Sequence, residues 1–358
     1  MNNRNITISF IDENEENKFK SKDFLTPDTH FSPKDKVSNA TWDNKLPVGD
    51  DIGVITIRKS DSFGCVVHLD YEKIINSADV VTGAELSPFD RCVYDAVVTI
   101  YVAGNDTFST TDIWHIISKN PNSKLSEKER LKIVRSMFHI SKFWMSILTE
   151  QSDKLNFWSA LNRNKTFLPE RKIYKKLETS YSGRLLDFRV IAHRSISVTR
   201  TVNGEKIVEQ KTIADIWKIG FPPILYQYAK AKGQVSAVPM NLLDTSKRAD
   251  KKIAINRGDH TDELANFLSR EIDTMKRTSK RKQPYSRVIL LERIYKIDGI
   301  NDIQQDDING INKKKSRTRD KLDKILSRFK ENGMIKGHQF HKKIKGKSLY
   351  FHSVEIIF

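Results

Sequence analysis

The sequence predicts an α+β protein in which a polar arm precedes two domains with the same order of elements: helix, short strand, helix, helix, β-hairpin. Three observations predict this. Apolar residues recur at helical spacing in several segments that begin with a capping residue and end at glycine. Between and after them lie short β-rich runs, one pair of which flanks Asn203-Gly204, a dipeptide suited to the positive φ angles of a tight hairpin turn. The charge is also lopsided. Residues 270–358 hold 23 Lys/Arg against 11 Asp/Glu, whereas residues 1–50 hold 7 against 9, within a 358-residue chain of formal net charge +17.

Residues 1–50 are polar, with Pro27, Pro33 and Pro47, and read as a flexible arm. "GVITIRKS" and "GCVVHLDY" alternate apolar and polar residues and predict a hairpin at 53–71. A first domain is expected over 51–245. Its opening helix is "LSPFDRCVYDAVVTIYVAGN", with Ser87 as N-cap, Pro88 in the first turn, a stripe from Phe89 to Ile100, and Gly104 as the stop. "TFS" is a short strand, and Thr110 or Thr111 caps "DIWHIISK". Ser126 and Glu129 form a capping-box pattern before a helix expected to run to 148, with Trp144 and Ile147 on its apolar stripe. "RLLDFRVIAH", "SISVTRTV" and "EKIVEQKTI" are β-rich, and "FPPILYQYAKAKG" is a short helix.

A second, basic domain is expected over 246–358. Its first helix spans about 261–280, with Leu264, Phe267, Leu268, Ile272 and Met275 on one face. Ser286 caps "RVILLERIYKI", which stops at Gly299, and "DIQQDDIN" reads as a short helix before Gly310. In "KKKSRTRDKLDKILSRFKENG", Leu322, Ile325, Leu326 and Phe329 follow the i, i+3, i+4, i+7 pattern. "MIKGHQFHKKI" and "SLYFHSVEIIF" are strands joined at "KGK". This order of elements is that of a winged helix, a helix-turn-helix followed by a β-hairpin wing.

A localised basic excess points to a polyanion partner. The major groove admits the last helix of a helix-turn-helix. At 100° per residue, Arg317, Asp320, Lys324 and Ser327 fall opposite the apolar stripe, with Lys321 and Arg328 on one flank and Arg319 on the other. Lys314, Lys315 and Ser316 lead into the helix, and Lys342, Lys343, Lys345 and Lys347 surround the tip of the wing. Double-stranded DNA is the expected partner. A weaker set in the first domain comprises Lys128, Arg130, Arg135, Arg194 and Arg200, where phosphate contact or dimerisation is expected rather than base reading.

Enzyme signals are poor. "KGKS" lacks the leading glycine of a phosphate-binding loop, since His341 occupies its place. His338 and His341 are three apart in a strand and face opposite sides, a poor metal pair. Tyr174 and Tyr181 have no evident metal-binding histidines to support phosphodiester transfer, and no catalytic carboxylate cluster is visible. The expectation is a protein without catalytic residues, metal or cofactor, with a nickase or primase as outsider. Cys65 and Cys92, the only cysteines, lie among apolar residues and read as buried free thiols of a reducing, cytoplasmic compartment. The polar N-terminal stretch has no apolar core of a signal peptide, and no stretch suits a membrane span.

Residues 85–358 resemble the replication initiator (Rep) proteins of iteron-type plasmids. "LSPFDRCVYDAVVTIY" is similar to the opening helix of their first winged domain, and "LDKILSRFKENGMIKG" to the recognition helix and first wing strand of their second. The resemblance implies that the second domain reads each origin repeat in the major groove, that the first contacts backbone or holds a homodimer, and that host helicase machinery is recruited. Arg317, Lys321, Lys324 and Arg328 would then sit at the DNA surface. The acidic arm and the 53–71 hairpin depart from that pattern. The other reading is a winged-helix transcriptional regulator or a partition-type DNA-binding adaptor.

Overall fold

A computed structural model describes residues 6–10, 27–49, 52–56, 64–71, 85–119, 123–151, 177–202, 205–243, 260–279, 286–300, 308–345 and 348–358. The chain forms two compact units. One is drawn from residues 1–26, 31–114 and 124–235, the other from residues 27–30, 115–123 and 236–358. The elements are α-helices and antiparallel strands. No helix among the described residues is long and apolar enough to cross a membrane.

Part of the stretch expected as a flexible arm is ordered. Strand β1 (Ile6–Phe10) pairs with β8 (Asp187–Val202), Ile6 opposite Ile196 and Phe10 opposite Ala192. Strand β2 (Thr29–Pro33) leads into helix α1 (Lys36–Trp42), capped by Asp35, which accepts from the Ser38 N–H at 2.9 Å. Trp42 packs on Tyr94 with ring centroids 5.2 Å apart, and the Arg91 guanidinium donates to Pro33 O at 3.0 Å and Asn39 Oδ1 at 2.9 Å. A few anchors, Val37, Thr41 and Trp42, bury the helix despite its polar composition.

Helix α2 (Pro88–Val102) begins as expected. Ser87 and Asp90 close a reciprocal capping box. Asp90 also accepts from Ser136 Oγ at 2.6 Å and lies 3.1 Å from His139 Nδ1, both on helix α4 (Glu127–Ser141). Burial alone would raise the Asp90 carboxyl, but the His139 ring and the Ser136 hydroxyl outweigh it and hold it below its ordinary value. Strand β5 (Thr107–Ser109) precedes helix α3 (Thr110–Ser118). Its cap is Ser109 rather than Thr110 or Thr111: Ser109 Oγ accepts from the Asp112 N–H at 3.2 Å, and Asp112 accepts from the Ser109 N–H at 2.7 Å.

Ser126 and Glu129 form the expected box on α4, but the helix ends at Ser141 instead of 148. Phe143–Gln151 is strand β6. Phe143, Met145 and Ile147 are buried and alternate with exposed Trp144 and Leu148, a period of two that overrides the helical stripe drawn through Trp144. β6 lies between β4 (Gly64–Tyr71) and β7 (Leu177–Arg184), with β3 (Ile52–Thr56) beyond β4, so the expected 53–71 hairpin is half of a four-stranded sheet. A second sheet runs β1-β8-β9-β5, where β9 is Glu205–Phe221. Val202 opposes Glu205, and Asn203-Gly204, where the sequence predicts the turn, lies outside the described residues. Helix α5 (Ile224–Ala231) is the expected short helix. Cys65 and Cys92 are buried free thiols, and burial pushes Cys65 up to about 11.

In the second unit, strand β10 (Val235–Pro239) and helix α6 (Met240–Leu243) precede helix α7 (Thr261–Thr278), whose five expected stripe residues are all buried. Strand β11 (Val288–Leu290), helix α8 (Leu291–Ile297), helix α9 (Ile308–Glu331) and strands β12 (Gly337–Lys345) and β13 (Ser348–Ile357) follow. The sheet order is β11-β13-β12. Two expectations are corrected. Ser286 accepts from the Val288 N–H at 3.2 Å and so caps the turn into β11, not a helix. Gly310 lies inside α9 rather than before it; a glycine costs a helix only about 1 kcal/mol, which one of this length tolerates. The core joins α7, α8, α9 and the inner face of the sheet through residues such as Leu268, Ile294, Leu326, Phe329 and Val354.

Candidate nucleic-acid interface

The candidate interface is built on α9. Leu322, Ile325, Leu326 and Phe329 are fully buried and fix which side of the helix faces the core. The end is fixed as firmly. Gly333 adopts φ +71, its N–H donates to Lys330 O at 3.0 Å, and the Met334 N–H donates to Phe329 O at 2.8 Å. These two bonds are the Schellman pattern, with Met334 folding back onto the same core as Phe329. The chain therefore leaves α9 and enters β12 without a further helical turn.

With the back buried, nine Lys/Arg and three Asp/Glu of α9 remain to be placed. Lys313, Asp323 and Lys330 are exposed, and the rest sort into three groups. Lys314, Ser316, Arg317, Asp320 and Lys324 are exposed on the outer side, and Ser327 is half-buried beside them. Lys321 and Arg328 are neutralised within the protein: Lys321 Nζ is 2.5 Å from Asp298 Oδ1, and Arg328, only 5% exposed, donates to Glu331 at 2.6 Å. Arg328 thus belongs to the packed side of the helix rather than to its exposed face. Asp298, at the end of α8, also accepts from the Thr318 hydroxyl at 2.5 Å, so one carboxylate ties α8 to α9. Lys315 and Arg319 form the third group, half-buried over aromatic rings.

The wing continues this charged side. Lys345 opposes Ser348 in the β12–β13 hairpin, and the register shifts between His341 and Lys342. Lys342 and Lys343 are exposed, and so is Ile344, at 71%. The Lys345 side chain and Lys347 lie outside the described residues. His338 and His341 do not converge: His338 Nε2 is 2.8 Å from Asp323 and His341 Nε2 is 2.9 Å from Glu355. Among the described residues no group of three His, Cys, Asp or Glu could hold a metal ion.

The weaker set of the first unit divides similarly. Lys128 and Arg135 are exposed on α4. Arg130 is tied down, donating to Asp215 and Glu127 at 2.6 and 2.7 Å with its side chain 11% exposed. Arg194 and Arg200 sit in β8, and their side chains, like Tyr174, lie outside what is described. The sequence did not point to Asp298, Tyr295 or Phe351, because their partners on α9 are 20 or more residues away and no local spacing links them.

No family model and no curated protein matches the chain. It does have distant structural likenesses. The crystal structure of RctB domains 2–3 aligns with a TM-score of 0.38 at 12% identity, covering 86% of this chain and 91% of that one. A selenomethionine derivative of domains 2 and 3 of RctB aligns with a TM-score of 0.36 at 13% identity, covering 87% and 94%.

Proposed function

We propose that this chain is a sequence-specific double-stranded DNA-binding protein built from two tandem winged helices, and that residues 246–358 form the DNA-reading domain. The observation that carries the reading is the sorting of α9: an apolar back locked in the core, an outer side of Arg317, Asp320 and Lys324, and a basic hairpin directly after it. An α-helix with its side chains is about 10–12 Å across, and the major groove is about 12 Å wide. Arg317 then donates to guanine or phosphate, Lys324 and Ser327 reach phosphate, and Asp320 accepts from cytosine or orients an Arg. Lys342, Lys343, Lys345 and Lys347 lie along the adjacent backbone.

The order α2, β5, α3, α4 and then the β8–β9 hairpin supports a second winged helix in residues 51–245, with β6 and β7 interposed. In this reading it contacts backbone or holds a homodimer. Together with the resemblance of "LSPFDRCVYDAVVTIY" and "LDKILSRFKENGMIKG" to plasmid Rep proteins, it supports an initiator of plasmid replication that binds origin repeats and recruits a host helicase or initiator. Such a protein works in the cytoplasm on its plasmid and needs no metal, cofactor or catalytic residue. Footprinting on the DNA flanking the gene tests this. Protection of direct repeats about two helical turns apart, in DNA that the gene maintains as a plasmid, is the expected result. Protection of a lone operator without maintenance points instead to a transcriptional regulator or partition adaptor.

A further inference from the structure

Two aromatic rings connect the cations of α9 to those of the wing. Arg319 Cζ lies 4.6 Å from the centroid of the Phe351 ring, and Lys342 Nζ lies 4.7 Å from the same centroid. Arg319 is on α9, Lys342 on β12 and Phe351 on β13, so a single ring spans helix and wing. Tyr295 on α8 extends the series. Lys315 Nζ is 5.5 Å from its centroid, and its hydroxyl accepts from Arg319 Nη1 at 3.2 Å. Both rings are anchored: Tyr295 is 9% exposed in the core, and Phe351 packs against that core and meets Phe340 edge-on at 6.1 Å.

Arg319 and Lys342 differ from Lys321 and Arg328 in one respect that matters. Among the described residues no carboxylate pairs with Arg319 or Lys342. A ring face attracts a cation through its quadrupole and fixes its position, but leaves the full charge in place. Two such charges on one ring repel each other, and an anion laid across them relieves that repulsion. A strand of DNA supplies phosphates at regular intervals. Arg319 also has one nitrogen committed to Tyr295, so its fork is held against the sheet side of the helix and cannot extend with Arg317.

Building on the DNA-binding reading above, we propose that Tyr295 and Phe351 hold Lys315, Arg319 and Lys342 as one row of phosphate contacts from α9 onto the wing. Arg319 grips the DNA backbone, and base reading is left to Arg317 and Asp320. Phe351 is a positioning residue that touches no DNA.

The test is the salt dependence of binding by the full chain to a selected duplex and to a scrambled one, by fluorescence anisotropy over a range of KCl concentrations. Each phosphate contact contributes about 0.9 to the slope of log K against log salt. Arg319→Gln and Lys342→Gln are each expected to flatten the slope by about 0.9 and to weaken both duplexes by the same factor. Phe351→Leu flattens it by about 1 to 2, whereas Phe351→Tyr, which keeps the ring, restores it. A purely structural Phe351 would lower the unfolding midpoint with the slope unchanged. An unchanged slope in Phe351→Leu, or a shifted base preference in Arg319→Gln, overturns the proposal. If Phe351→Leu does not fold, the Arg319→Gln/Lys342→Gln double variant decides: a slope flattened by about 1.8 supports the row, and an unchanged slope removes it. Wild-type protein without salt-dependent duplex binding would overturn the DNA-binding reading itself, an outcome distinct from all of these.

Discussion

Replacing Asp298 with alanine should lower the stability of the second unit and, on the proposed DNA-binding reading, tighten its hold on a duplex. Asp298 accepts two hydrogen bonds at 2.5 Å, from the Thr318 hydroxyl and from Lys321 Nζ, and its side chain is 9% exposed. A hydrogen bond to a charged group contributes about 1.5–3 kcal/mol. Two offsets reduce the loss. Thr318 keeps its bond to Lys314 O at 3.1 Å, and Lys321, with its side chain 20% exposed, regains water. The ion-pair part is discounted for that exposure, which leaves about 2 kcal/mol for Asp298→Ala and about 1 kcal/mol for Asp298→Asn, which still accepts from Thr318. Urea denaturation reads this as a lower midpoint at unchanged slope. On the proposed DNA-binding reading, Lys321 loses its Asp298 carboxylate in the folded variant, so duplex affinity should rise about threefold or more, with the salt slope steeper by up to about 0.9. An unchanged midpoint would refute the tie between α8 and α9. A weaker affinity in protein that remains folded would refute the placement of Lys321 beside the DNA.

Two further outcomes follow from backbone and burial. Gly333→Ala puts a side chain at φ +71, where a Cβ meets no atom within 4 Å; the cost is conformational, about 1 kcal/mol by urea denaturation, and no loss would mean that the helix ends differently. His30 is 2% exposed, with no hydrogen-bond partner on either ring nitrogen among the described residues, and burial, then Lys119 and Arg270, push its pKa well below the ordinary 6.5. The folded protein keeps this ring neutral, so its contribution is complete above pH 6.5 and is lost as pH falls below that, where the unfolded chain takes up a proton. His30→Phe should flatten stability against pH on that side, and an equal acid-side decline in both proteins would show that His30 is not its source.

What was legible in the sequence was local. The caps at Ser87 and Ser126 and the stop at Gly333 act over three to five residues, so the chain declares them itself. The back of α9 was legible because its apolar residues keep one period throughout. The strand Phe143–Gln151 was not. "FWMSIL" continues the stripe of α4 and also alternates in and out, and the sheet partners of its strand lie 72–84 residues earlier and 26–40 later. Ser286 was misplaced for the same reason, since the strand that follows it is defined by β13 at the far end of the chain. In the interface, the outer position of Arg317, Asp320 and Lys324 could be drawn from a helical projection. The fates of Lys321, Arg328 and Arg319 could not, because Asp298, Glu331, Tyr295 and Phe351 act through geometry that no projection contains.

The most direct measurement of the central claim is binding of the Arg317→Ala/Lys324→Ala double variant to the duplex that the wild-type chain selects, followed against salt. Wild type should show a slope of log K against log salt of roughly −5, as expected for about six phosphate contacts. The double variant should keep its unfolding midpoint and lose its preference for the selected duplex over a scrambled one. A double variant that still distinguishes the two as well as wild type does would contradict the assignment of α9 as the helix that reads DNA.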